Sequence, residues 1–154
     1  MTYLEKITYL TGRFLQVYQY CLYNAYRVRT FFSGIAKLTP QVDTEENIQA
    51  MESQALSKLI ADQEKGTKEI LSFLLDHGMS KKDEKEFSLL IRKKDYLVSD
   101  YYLDNSQKLS REDPVIYASQ INELEEYVDK AIALNQSLAK SADRILQENY
   151  RKRG

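Results

Sequence analysis

The chain is predicted to be all-α: an elongated antiparallel helical bundle or coiled coil of about four helices, forming one domain over residues 1–154. Three observations carry this. Five glycines and two prolines in 154 residues leave little material for β-turns. Apolar residues recur at alternating spacings of three and four, most strictly from Leu4 to Ile35. The breaks between periodic stretches are short, so consecutive helices are expected to lie antiparallel.

The first helix, over about residues 2–37, has an unbroken seam of Leu4, Ile7, Thr11, Phe14, Tyr18, Cys21, Ala25, Val28, Phe32 and Ile35. A flanking row of Tyr3, Leu10, Val17, Phe31 and Leu38 widens the face it can bury. Gly34 and Thr39-Pro40 end it. The second helix, over about 44–77, starts from Asp43 with Glu46 three residues on, a capping-box spacing. Its inner face is Ile48, Met51, Ala55, Leu59, Ile70, Phe73 and Leu74. Gly66 weakens its middle by about 1 kcal/mol relative to alanine, and His77-Gly78 reads as its C-terminal turn.

Ser80 is placed to cap the third helix, over about 81–108, which carries Phe87, Leu90, Ile91, Leu97, Val98, Tyr101 and Tyr102 inward. Asp104-Asn105-Ser106 is expected to fray its end. Ser110 is expected to cap the fourth helix, over about 111–150, with Asp113 at the third position and Pro114 in the first turn. Its seam is Ile121, Leu124, Val128, Ala131, Asn135, Leu138, Ala142, Ile145 and Asn149. Segments of this length span roughly 40–60 Å at 1.5 Å per residue.

Charge is distributed unevenly. The first 42 residues hold one acid, Glu5, against five bases, Lys6, Arg13, Arg27, Arg29 and Lys37, and six of the twelve tyrosines. From Asp43 onward 22 acids face 17 bases, a net charge of −5. The single cysteine, Cys21, lies in the apolar seam, which excludes a disulfide framework and fits a reducing compartment. No apolar run exceeds four residues and the N-terminus lacks a secretory pattern, so a cytoplasmic protein without a transmembrane segment is expected.

These residues offer little enzyme chemistry. One histidine, His77, cannot supply the several His and Glu ligands of a helical-bundle metal site, and its place at a helix end suits a cap rather than a catalyst. Cys21 reads as a buried structural thiol. There is no phosphate-binding glycine loop. No catalytic residue, metal or cofactor is expected. Nucleic-acid binding is not expected either, because the sequence pI is about 5.9 and the basic runs are short.

Two features point to partners. Off the seam of the first helix lie Tyr9, Arg13, Gln16, Tyr20, Tyr23 and Arg27, spaced by four, three, four, three and four. Tyrosine and arginine are enriched at protein interfaces. The same residues could instead pack under neighbouring helices with their polar ends at the rim. Asn135, on the seam of the last helix, is the second feature. A polar seam residue fixes register or partner choice, or else marks an open seam where a partner helix can dock.

The run Val128 to Leu138, with its Asn135-x-x-Leu138 element, followed by an amphipathic stretch to Leu146, resembles the C-terminal helix of FlgN-type flagellar export chaperones. The segment Leu56 to Glu64 is similar to their second helix, and the chain length matches. The resemblance spans about 50 residues. Their first helix is usually rich in Glu and Lys, unlike the acid-free helix here. It implies a cytosolic chaperone for the C-terminal helices of hook–filament junction proteins, with client contacts on Leu134, Asn135, Leu138, Ile145 and Leu146. The expected function is therefore non-enzymatic protein binding, with a client helix as partner and a homodimer compatible with it. The alternative is a self-associating structural subunit of a secretion, phage or nucleoprotein assembly.

Overall fold

The computed structural model describes residues 1–35, 45–62 and 68–153, all but a few of them helical. Among the described residues six helices follow one another: α1 (Tyr3–Ile35), α2 (Glu45–Asp62), α3 (Lys68–Asp76), α4 (Lys81–Ser99), α5 (Tyr101–Ser110) and α6 (Pro114–Arg153). No strand occurs among the described residues. The all-α class is therefore as predicted, while the division into four long segments is not what the chain adopts. Asp43, Leu38, Thr39-Pro40 and Gly66 lie outside the described residues.

Local chemistry accounts for the helix ends. Glu5, the lone acid of the N-terminal region, closes a capping box: its Oε2 accepts from the Thr2 amide at 2.8 Å, and Thr2 Oγ1 accepts from the Glu5 amide at 3.1 Å. Ser80 caps α4 as expected, accepting from the Asp83 amide. Gly78 has φ +100°, the left-handed turn for which glycine has no steric penalty, and the Met79 amide bonds back to the Leu74 carbonyl at 2.9 Å.

At the start of α6 the cap is Asp113 rather than Ser110. Asp113 Oδ1 accepts from the Val115 amide, putting Pro114 at the first helical position, where a missing N–H is harmless. Ser110 ends α5 and donates its hydroxyl to the Gln107 carbonyl. The third predicted helix also divides earlier than expected, at Asp100. The buried residues Leu97, Tyr101, Asn105 and Leu109 step by four. At 100° per residue each such step drifts about 40° around a straight helix. A bend keeps the stripe pointed at α6. Asn105 consequently anchors the region instead of fraying it: its amide donates to the Tyr101 carbonyl at 2.8 Å and to the Tyr96 hydroxyl at 3.2 Å.

The core is built on α1 and α6, which pack along most of the length of α1. Their contacts advance together along both chains: Tyr3 stacks on Tyr117, Phe14 meets Tyr127, Cys21 meets Ala131, Asn24 meets Asn135, and Arg27 meets Asp143. The two long helices are thus parallel. A four-segment antiparallel bundle would set its first and last helices in opposite directions. The cause lies between them. A single helix over 44–77 would run about 50 Å and deliver His77 to the far end of α1. Instead His77 packs against Phe32, at the end where α1 stops, with ring centroids 4.5 Å apart. The end of α3 therefore lies beside the C-terminal end of α1, where Glu52 of α2 also meets Arg27. From there α4 and α5 descend antiparallel to α6: Asp83 meets Ser137, Lys93 meets Glu123, and Tyr101 meets Gln120.

The middle of the predicted seam is buried, and its ends are not. Ile7, Leu10, Phe14, Val17, Tyr18, Cys21, Ala25, Val28 and Phe31 are core, whereas Leu4 and Phe32, near its two ends, are exposed. Val98 and Tyr102, expected inward, also face solvent beside the Asp100 bend. Lys93 is a buried cation that periodicity did not reveal. Its Nζ donates to Glu123 at 2.8 Å and lies over the rings of Tyr127 and Tyr96 at 4.6 and 5.6 Å.

Cys21 Sγ donates to the Ala131 carbonyl across the α1–α6 contact at 3.2 Å. Burial pushes its thiol from 9.0 up to about 12, and burial likewise moves the Tyr101 phenol from 10.0 to about 12. Both groups must stay protonated in the fold. Their stabilisation is complete below the unfolded values and is lost as pH rises toward 12, because the unfolded chain releases those protons first. Stability measured by urea unfolding should therefore fall between about pH 9 and pH 12. Cys21 should resist a thiol reagent at neutral pH until urea exposes it; rapid labelling of the folded protein would contradict the burial.

Candidate binding surfaces

The Tyr/Arg strip of α1 occupies one face of that helix. Taking 100° per residue, Tyr9, Arg13, Gln16, Tyr20 and Arg27 all lie roughly 160–220° around the axis from Tyr18. Tyr18 itself faces α4, with Lys94 Nζ over its ring at 5.7 Å. The strip therefore looks away from α4. On that side α2 packs against α1, but α2 has 18 residues and α1 has 33. One helix cannot cover the whole face.

Where α2 lies, the strip is interior. Arg27, with a side chain 13% exposed, donates to Asn24 Oδ1 at 2.9 Å, to Glu52 of α2 at 3.1 Å and to Asp143 of α6 at 3.3 Å. Its guanidinium sits 5.1 Å over Phe31 and 6.0 Å from the Tyr23 ring. Tyr23 is half-buried against the core. Asn24, buried, donates to Asn135 Oδ1 at 2.6 Å. Asn135, Asn24, Arg27, Glu52 and Asp143 thus form one polar chain through three helices. Arg27 joins them because a planar fork of donors can serve several acceptors at once.

Beyond α2 the strip is bare. Tyr9 is 59% exposed and Tyr20 48%, and Gln16 is exposed between them. Arg13 donates to Gln16 at 2.8 Å and has no acidic partner among the described residues. Gly12 lies between Tyr9 and Arg13, and a Cβ added there would meet nothing within 4 Å. With Thr8 these residues line a shallow depression.

A second surface lies at the other end of α1. A cleft of about 450 Å³ opens between α1, the α3–α4 turn and α6, with Val28, Phe32, Leu74, Leu138 and Ile145 as its apolar lining. His77, Asp83, Ser137, Arg144 and Glu148 supply polar groups around it. His77 is held by its Nδ1 contact to the Phe73 carbonyl at 2.7 Å and by stacking on the Phe73 ring at 4.0 Å. Of the C-terminal residues expected to meet a client, Leu138 and Ile145 line this cleft. Leu134 is buried in the core, Asn135 is engaged with Asn24, and Leu146 is half-buried against the core. The contributions of Phe32 and Leu74 were hidden in the sequence, since both read there as core positions.

Among the described residues no cluster of His, Cys, Asp and Glu side chains is arranged to hold a metal, and no helix is long and apolar enough to cross a membrane. Compared with known proteins, the chain matches no family, no curated protein and no solved structure.

The Asn24–Asn135 pair yields a ranked prediction. Asn135→Leu removes the acceptor from a buried amide and should cost about 1–3 kcal/mol. Asn135→Asp keeps an acceptor beside Arg27 and should cost less. Urea unfolding measures the order, and a leucine variant more stable than the aspartate one would show that the pair does not hold the two helices together.

Proposed function

We propose that this chain is a non-enzymatic, protein-binding helical bundle that receives a helical segment of a client protein at the cleft between α1, the α3–α4 turn and α6. The observation that carries the reading is the cleft itself, where Phe32 and Ile145 remain partly accessible beside an apolar floor. Helix-in-groove recognition needs such a combination, because apolar anchors supply affinity while the polar rim sets orientation. A cavity of this size suits the anchor side chains of an amphipathic helix rather than the whole helix.

The resemblance of residues 128–146 to FlgN-type export chaperones gives the proposal its specific form, a cytoplasmic chaperone for the C-terminal helices of hook–filament junction proteins. Leu138 and Ile145 are then the client contacts. Leu134 and Asn135 act indirectly, through the packing and register of α6. An enzymatic reading has less support, since His77 is stacked and bonded at a helix end and Cys21 is enclosed in the core.

Fluorescein-labelled peptides carrying those junction-protein helices provide the test, with a scrambled peptide as control. Binding measured by anisotropy should weaken about tenfold, or 1.4 kcal/mol, in Phe32→Ser and in Ile145→Arg. Both positions are partly exposed, so the fold should survive. Equal affinity for the scrambled peptide, or no loss in either variant, would remove the cleft as the client site.

A further inference from the structure

The bare half of the Tyr/Arg strip has a counterpart elsewhere on the same molecule. At the Asp100 bend Leu103 is 77% exposed and Val98 65% exposed, with Tyr102 beside them. Leu103 stands about 200° around the helix from Tyr101, which is buried toward α6, so it points out of the bundle. Asp100 lies beside this ridge and Asp104 at its edge, near the Tyr96 hydroxyl; both are exposed and neither is in an ion pair with a described residue. The ridge is apolar and acidic. The strip is aromatic and cationic, and its Arg13 has no acidic partner among the described residues.

Shape agrees with charge. Gly12 creates a depression in the strip that no described part of the chain fills. A glycine at an exposed helix position weakens the helix relative to alanine, and no contact with a described residue compensates for it. Such a residue permits close approach by something outside the fold. The ridge offers a projecting leucine of suitable size, with carboxylates placed to meet Arg13.

From this complementarity we propose that the occupant of the strip is a second copy of the chain. The Leu103 ridge of one molecule seats on the Gly12 depression of the next, with Asp100 and Asp104 facing Arg13 and with Tyr9 and Tyr20 closing over the apolar contact. Strip and ridge are different surfaces, one on α1 and one at the α4–α5 bend, so the contact is heterologous and each added molecule leaves one strip and one ridge free. Association of this kind proceeds head to tail and does not stop at a dimer unless the geometry closes a ring. It engages none of the residues of the cleft and stands independently of client binding there.

Sedimentation equilibrium from micromolar to millimolar protein tests the proposal. The wild-type mass should rise with concentration beyond that of a dimer, and less so in high salt. Gly12→Leu should fold at least as well as wild type, shown by an unchanged helical signal and a raised melting temperature, yet associate at least about tenfold more weakly. A double variant, Asp100→Lys with Asp104→Lys, should do the same, and Arg13→Glu serves as a second strip variant. Mixing a strip variant with the ridge variant leaves one intact pairing and should produce a 1:1 dimer that grows no further. A wild type that stays monomeric throughout, strip variants that associate normally, or a mixture that forms no dimer would each overturn the proposal.

Discussion

The parallel contact between α1 and α6 is the constraint on which the remaining packing depends. Its register is set where flat apolar packing alone would tolerate sliding. The Cys21 thiol reaches the Ala131 carbonyl, and the Asn24 amide reaches Asn135, within one turn of each other. A slip along the seam would leave both buried polar groups without partners, a cost comparable to much of a domain's net stability. Apolar side chains above and below supply most of the stabilisation, and these two bonds select the alignment.

Once α1 and α6 are aligned, the other helices have few places to go. α4 and α5 lie on one side, tied by Lys93 to Glu123, by Tyr101 to Gln120 and by the Tyr117 hydroxyl to the Leu109 carbonyl. On the opposite side α2 is joined through Arg27. The coverage is unequal, because α2 is much shorter than the helix it packs on. The two candidate surfaces follow from that inequality and from the early end of α1. One is the half of α1 that α2 does not reach, and the other is the cleft that Phe32 and Ile145 line between α1, the α3–α4 turn and α6.

The acid-poor composition of α1 has more than one origin. Glu5 survives because a capping box requires it, while Arg27 and Arg29 sit over aromatic rings within the fold. Arg27 in addition neutralises acids from two other helices. Much of the cationic, aromatic character therefore serves internal packing, which the spacing of residues also allowed. Tyr9, Gly12, Arg13 and Tyr20 are the portion that no other described helix covers.

Helical class, most core positions, the α4 cap and the Gly78 turn were legible in the residues, because period and capping depend on neighbours within a few positions. The strip from Tyr9 to Arg27 was legible as a pattern, but its division into an interior half and a bare half was not, since that depends on where a separate helix ends. The same limit applies to Asn135, whose partner lies 111 residues away, and to Lys93, whose burial is made tolerable by Glu123 and Tyr127. The sequence by itself determined which stretches are helical and which faces are apolar. Only the tertiary structure decided that α3 ends beside the C-terminal end of α1 and that α1 and α6 run parallel. Helix direction is a property of the whole path of the chain, and no local spacing of side chains encodes it.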